Sequence, residues 1–199
     1  MKTSLKLLFT LTAVSFLVWS CVPSLHPLYF EKDLIFDETI LGAWESDQEV
    51  TWNFEKYIPK KKDIESKSYV LTIHDEEDAV FDFHLLKLGD YIFADFYLEK
   101  YDIKNDMADM HCFPVHTFAR YKHMGDSIII EHFDFEFIEN LIKENKVKIK
   151  HERPNDALIL TAGTKELQKF VKKYAYDEDL YDTDNPTVLK RKTIPHNVH

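Results

Sequence analysis

The chain has 199 residues, 45% of them hydrophobic, 14% aromatic and 30% charged, the composition of a foldable globular domain and not of a disordered, fibrous or polytopic protein. Its four glycines, Gly42, Gly89, Gly125 and Gly163, stand far apart, which excludes a glycine-rich phosphate loop, a dinucleotide fingerprint and a G-x-S-x-G nucleophile elbow. With 25 basic against 35 acidic residues the net charge is −10, so the field of the whole molecule repels nucleic acid and anionic headgroups.

Residues 1–20 read as a secretory signal. Lys2 and Lys6 form a basic start, and Leu7 to Val18 make a twelve-residue apolar core too short to span a bilayer. The segment ends Val18-Trp19-Ser20-Cys21, which resembles a bacterial lipobox, with Trp19 where a small or aliphatic residue is usual. The resemblance implies that Cys21 is acylated and becomes the first mature residue, so that the protein's partner is a membrane it sits on without crossing. Each buried methylene of such a lipid contributes about 0.8 kcal/mol, and two or three chains together anchor stably. Val22 stands where an aspartate would signal inner-membrane retention, so the resemblance implies an outer-membrane lipoprotein facing the periplasm.

Residues 21–39 form a lipidated tether. It carries Pro23 and Pro27 but also Leu25, Leu28, Tyr29, Leu34, Ile35 and Phe36, too apolar for a solvated spacer, so part of it is expected to pack on the domain. Cys112 is then the single remaining thiol and closes no intramolecular disulfide; in Cys112-Phe113-Pro114-Val115 it reads as a small buried hydrophobe.

From residue 40 to about 175 the pattern is mainly period two. Val50, Trp52 and Phe54 share one face of a strand. Residues 69–74, 79–88 and 91–98 read as a three-stranded meander turning at Asp75-Glu76-Glu77-Asp78 and Gly89-Asp90. Residues 113–123 and 127–133 form a further hairpin around Met124-Gly125-Asp126. Such closely spaced antiparallel strands imply a barrel or sandwich. Helical spacing of Phe135, Ile138, Leu141 and Ile142 follows Asp134 and stops at Asn145. A strand over 157–162 leads to Thr164, which could cap a second helix bearing Leu167, Phe170, Val171 and Tyr174. Both amphipathic helices should cover an end or face of the barrel. Residues 176–199 read as an acidic, partly ordered tail.

Leu41-Gly42-Ala43-Trp44 resembles the G-x-W start of lipocalins and their smaller relatives, in which the indole closes the barrel floor; Trp44 would be that residue. A longer pattern, Leu25-His26-Pro27-Leu28-Tyr29, Thr51-Trp52-Asn53-Phe54-Glu55, His84-Leu85-Leu86-Lys87-Leu88-Gly89, Pro114-Val115-His116-Thr117-Phe118 and residues 160–170, is similar to a family of small bacterial lipoproteins of unknown function. The resemblance runs from Cys21 to about residue 175. It implies an antiparallel lipocalin-like barrel and an envelope location, and it carries no activity.

A barrel that holds a guest needs apolar walls with a few orienting polar groups. One strand parity groups Asp82 with His84, and neighbouring strands add Asp95, His116, Phe118 and Arg120; with Trp44 these are the candidate ligand-binding residues, converging on the lumen. Structural pairing, such as Asp95 with Arg120, is the competing account, and parity alone does not say which face is inside. His84 with His116 is the one histidine pair of interest. His111 and His116 lie five apart, on opposite faces, and neither H-E-x-x-H nor C-x-x-C occurs, so no metal and no cofactor is expected. Asp102, Asn105, Asp106 and Asp109 resemble a calcium loop in composition only, lacking its glycine. No catalytic motif is present. The expectation is therefore a non-catalytic, membrane-anchored binder of a small apolar or amphipathic ligand, or else an accessory subunit docking on an outer-membrane protein complex.

Overall fold

A computed structural model describes residues 22–60, 66–101 and 113–192. The expected signal and Cys21, the acidic loop with His111 and Cys112, and residues 193–199 lie outside the described residues. Among the described residues no helix is long and apolar enough to cross a membrane.

The fold is mainly β: a closed, eight-stranded antiparallel barrel with two helices, a lipocalin-like architecture. Strands β2 (Gly42–Ser46), β3 (Thr51–Lys56), β4 (Ser68–His74), β5 (Asp78–Leu88), β6 (Tyr91–Tyr101), β7 (His116–Met124) and β8 (Ser127–His132) run as a meander, and β5–β6 pairing helps close the ring. A two-residue strand β1 (Leu34–Ile35) pairs with the end of β5 beyond the reach of β4. After β8 come helix α1 (Phe135–Lys143), the short pair β9 (His151–Glu152) and β10 (Ile159–Leu160), helix α2 (Thr164–Tyr174) and β11 (Thr187–Arg191).

The last strand is a structural stave. The sequence there reads as an acidic tail, but β11 lies between β2 and β8, with Leu189 opposite Ser46 on one side and Ile128 on the other, and completes the barrel. Its signal is short: Val188 and Leu189 stand between polar and basic residues, and its partners come from far earlier in the chain. The strand expected over 157–162 shrinks to β10, and Pro114 and Val115 lie outside β7.

Two apolar layers explain why both faces of the central strands are hydrophobic. The interior gathers side chains from all eight staves, among them Trp44, Trp52, Phe54, Leu71, Phe83, Phe96, Ala119, Ile128 and Leu189. The opposite parity, with Leu86, Leu88, Phe93 and Phe118, points outward and is covered by α1, α2 and the N-terminal segment. The helices thus cover a side of the barrel.

Local chemistry sets the helix ends. The Asp134 carboxylate accepts the Phe137 N–H at 2.6 Å, and Asn145 takes a left-handed conformation (φ 56°) just past α1. For α2 the N-cap is Gly163, while the Thr164 hydroxyl, expected to cap, instead donates to the Pro27 carbonyl at 2.8 Å. That bond joins the helix to residues 22–33, which cross the outer face of β5, β6 and β7. Ser24 exchanges backbone hydrogen bonds with His116, both 2.8 Å, and Leu160 N–H donates to Pro23 at 2.9 Å. The expected tether is therefore an integral strap of the domain: Val22, Ser24, Leu28 and Leu34 are buried.

Candidate functional site

The barrel has a floor and a mouth. At the floor Trp44 is fully buried, its indole N–H donates to the Ile40 carbonyl at 2.7 Å, and the Arg191 guanidinium lies 4.1 Å from its ring. Arg191 also donates to the carbonyls of Thr39 and Leu41, so the last stave locks the segment that seals this end. Gly42 (φ 106°) makes the bend that starts β2 in a conformation other residues rarely adopt. Trp44 is thus a structural plug at this end of the barrel.

Above it the lumen is filled with rings. Phe83 contacts Phe54 at 5.1 Å, Tyr69 at 5.8 Å and Phe96 at 4.9 Å between centroids, and Phe96 meets Trp52 at 6.3 Å and His132 at 5.6 Å. The four contacts among Trp52, Phe54, Tyr69, Phe83 and Phe96 are edge-on, each worth about 0.5–1.5 kcal/mol beyond the area it buries. At the opposite end a cavity of about 440 Å³ opens between the β2–β3 turn and the start of β11, lined by Gln48, Val50, Trp52, Ile73, Asn185 and Val188. Trp52 is its inner wall.

The predicted polar residues share one face, as the strand parity implies, but that face is the outer one. Asp82, His84, Asp95, His116, Phe118 and Arg120 do not line the lumen; residues 22–33 and the C-terminal segments pack over His84, Asp95, His116, Phe118 and Arg120, and Asp82 is half-buried on the same face. The physical reason is the second apolar layer, which makes the outer parity of β5 to β7 read like a barrel interior.

Their pairing also differs from the expected Asp95–Arg120 contact. Asp95 is fully buried and accepts the Leu28 N–H at 2.7 Å through one oxygen and pairs with His116 Nδ1 at 2.7 Å through the other. Burial pushes its carboxyl above the usual range, with both hydrogen bonds pulling the other way. His84, opposite Asp95 in the β5–β6 register, lies beneath the Tyr29 ring at 4.2 Å, and its buried Nδ1 has no partner. Burial, reinforced by the charge of His116, drives the His84 imidazole down to about 4, so it is neutral near pH 7. Burial also raises the Asp82 carboxyl, with Glu99 adding to the effect.

Arg120 serves a different contact. Its guanidinium binds Glu178 through two hydrogen bonds of 2.8 and 2.7 Å, bonds Glu131 through Nε, and lies 3.8 Å from the Tyr181 ring. Burial opposes the charge, but the two carboxylates outweigh it and hold the group above its ordinary value. The pair pins residues 178–181 to β7 and β8. Phe118 packs edge-on against Phe133 at 5.9 Å in the same outer layer.

This is a set of structural latches. Tyr29, Glu131, Glu178 and Gln168, whose amide donates to the Leu28 carbonyl at 2.9 Å, belong to the set without any signal in the sequence. No local spacing joins them, because each meets a partner far along the chain. Among the described residues no three His, Cys, Asp or Glu side chains gather as metal ligands.

The fold and these contacts define a class, a closed eight-stranded barrel of lipocalin-like architecture laced on the outside by its own N-terminal segment. No family model, no curated protein and no solved structure matches the chain.

Proposed function

We propose that this protein is a non-catalytic lipoprotein of the cell envelope, held on the outer membrane through an acylated Cys21, whose barrel serves as a rigid scaffold for docking on an outer-membrane protein complex. The observation that carries this reading is the filled lumen: Phe54, Phe83, Phe96 and Trp52 interlock where an enclosed guest would sit. A barrel stiffened in this way offers its surface. The buried polar groups support the same view, since Asp95 and Arg120 spend their hydrogen bonds on fastening segments of the chain itself.

A second reading, a binder of a small amphipathic molecule, is favoured by the cavity of about 440 Å³ at the mouth, within the size range of small-molecule sites. The two are separated by native mass spectrometry of protein purified from its own membranes, combined with titration by a fluorescent amphipathic probe. The scaffold reading expects an acylated Cys21, no small-molecule adduct and no change in tryptophan emission. An adduct, or quenching that disappears in Trp52→Phe, supports the second reading. An unmodified Cys21 overturns the anchor in both.

A further inference from the structure

The net charge of −10 conceals a basic face. Residues 143–174 hold nine basic side chains against four acidic ones. The fold sets most of them side by side. In residues 146–150 the apolar Val147 and Ile149 turn inward while Lys146, Lys148 and Lys150 are exposed, and α2 buries Leu167, Phe170 and Val171 while exposing Lys165, Lys169 and Lys173. The two segments lie together. They flank two adjoining clefts, of about 360 Å³ and 600 Å³, that share Lys169 and Glu166.

Two of the nine, Lys143 and Arg153, are paired with Glu139 at 2.7 and 2.9 Å, while the ridge of residues 146–150 and α2 has fewer such partners. Lys146 pairs with Glu144 at 2.7 Å, and Glu166 is engaged by the Lys150 backbone N–H at 3.1 Å. Among the described residues no carboxylate pairs with Lys148, Lys150, Lys165 or Lys169. Like charges gathered on one face repel one another, a cost that an anionic surface would relieve. The acidic remainder of the molecule interferes little, because at physiological salt the field of a charge decays over roughly 8 Å.

The ridge adjoins the chain's exit toward Cys21. Val22 is buried, and Pro23 to Leu25 are hydrogen-bonded to Leu160 and His116, so the strap is fastened to the domain from its first described residue, the one that follows Cys21 in the sequence. Gly163 follows Leu160 by three residues, at most about 10 Å of chain, and α2 extends roughly 16 Å beyond. Phe30, on the same strap and partly exposed, forms a wall of the cleft with Lys150, Lys165 and Lys169. Exposed apolar and basic side chains together suit the boundary between headgroups and acyl chains.

We propose that the face formed by residues 146–150 and α2 lies against an anionic phospholipid surface, so that the barrel rests on its side instead of swinging from its lipid. This rests on the acylation of Cys21 proposed above. The acyl chains of such an anchor already retain the protein, so the ridge would act chiefly on orientation, as basic side chains do beside an anionic surface.

The test uses the protein as purified from its own membranes, with its intact mass recorded first. It is reconstituted into vesicles of phosphatidylcholine alone or with about a third phosphatidylglycerol, and lysine acylation by an amine-reactive reagent is followed by peptide mass spectrometry. Lys148, Lys150, Lys165 and Lys169 should react on the order of tenfold more slowly on the anionic vesicles, while Lys190 on β11, three staves from β6, keeps its rate. The exposed-site variant Lys148→Glu with Lys169→Glu should lose the protection at Lys150 and Lys165. Equal labelling on both vesicles overturns the docking face, even where the mass shows Cys21 acylated. Equal protection on neutral vesicles after adding inorganic phosphate assigns the ridge to a free anion and also overturns it. An unmodified Cys21 removes the anchor and overturns the proposal together with the reading it rests on.

Discussion

His84 makes stability fall as the solution is acidified, and the size of the fall can be worked from its surroundings. The imidazole is 7% exposed, covered by the Tyr29 ring, with an unpartnered Nδ1 and with His116 nearby. Its proton affinity drops from 6.5 in the open chain to about 4 in the fold. Below pH 6.5 the unfolded chain takes a proton that the folded one refuses, so acid favours unfolding. The contribution is complete above 6.5 and is lost as the pH falls through about 4, and that gap corresponds to about 3 kcal/mol. His84→Phe keeps a ring under Tyr29 and removes the titration. Urea unfolding followed by tryptophan emission should give the two proteins stabilities within about 1 kcal/mol near neutral pH. Between pH 6.5 and about 4 the variant should lose about 3 kcal/mol less than the parent. His132, also buried and pushed down by burial, titrates in both proteins and cancels in the comparison. Parallel curves would refute the reasoning and mean that His84 is solvated in the fold.

Two lumen tyrosines should respond in opposite directions to loss of the hydroxyl. The Tyr121 hydroxyl is buried without a partner, so Tyr121→Phe should stabilise by up to about 1 kcal/mol; the Tyr69 hydroxyl accepts the Asp37 N–H at 2.6 Å, so Tyr69→Phe should cost about 1 kcal/mol, both read from urea midpoints. Asp95→Ala strands the Leu28 N–H and His116 beneath the strap, and equilibrium unfolding should register a loss of about 3–5 kcal/mol with faster amide exchange at Leu28. A loss below about 1 kcal/mol would show that apolar contacts alone hold the strap. Ending the chain after Asn185 removes β11 and opens the edges of β2 and β8, so size-exclusion chromatography should find aggregate in place of monomer. A folded monomer would remove β11 from the account of closure.

The strap carries more than its apolar residues suggest. Thr164 and Gln168 of α2 donate to the carbonyls of Pro27 and Leu28, while Asp95 of β6 receives the Leu28 N–H. Residues 27 and 28 are thus bonded both to the helix above and to the sheet below. A lipid at Cys21 would therefore pull on the barrel wall directly, which is why the proposed anchor bears on orientation.

The chain's own periodicity determines a good deal. Alternation in Val50 to Phe54 and in the hairpins around Gly89 and Gly125 specifies strands, turns and antiparallel order, because both the pleat and a tight turn are local. Asp134 and Asn145 likewise bracket α1 through bonds that reach only a few residues. Only the tertiary structure decides which parity is the interior. In β5 and β6 one face carries Phe83 and Phe96 into the lumen, and the other carries Leu86 and Phe93 under the helices, so hydrophobicity does not distinguish them. The polar residues of that outer face consequently change from lumen candidates to latches. The assembled fold likewise decides the fate of Thr187–Arg191, a stave stabilised by β2 and β8, and the existence of the lysine ridge. Net charge is a sum over the chain, whereas a surface potential depends on which residues folding places together.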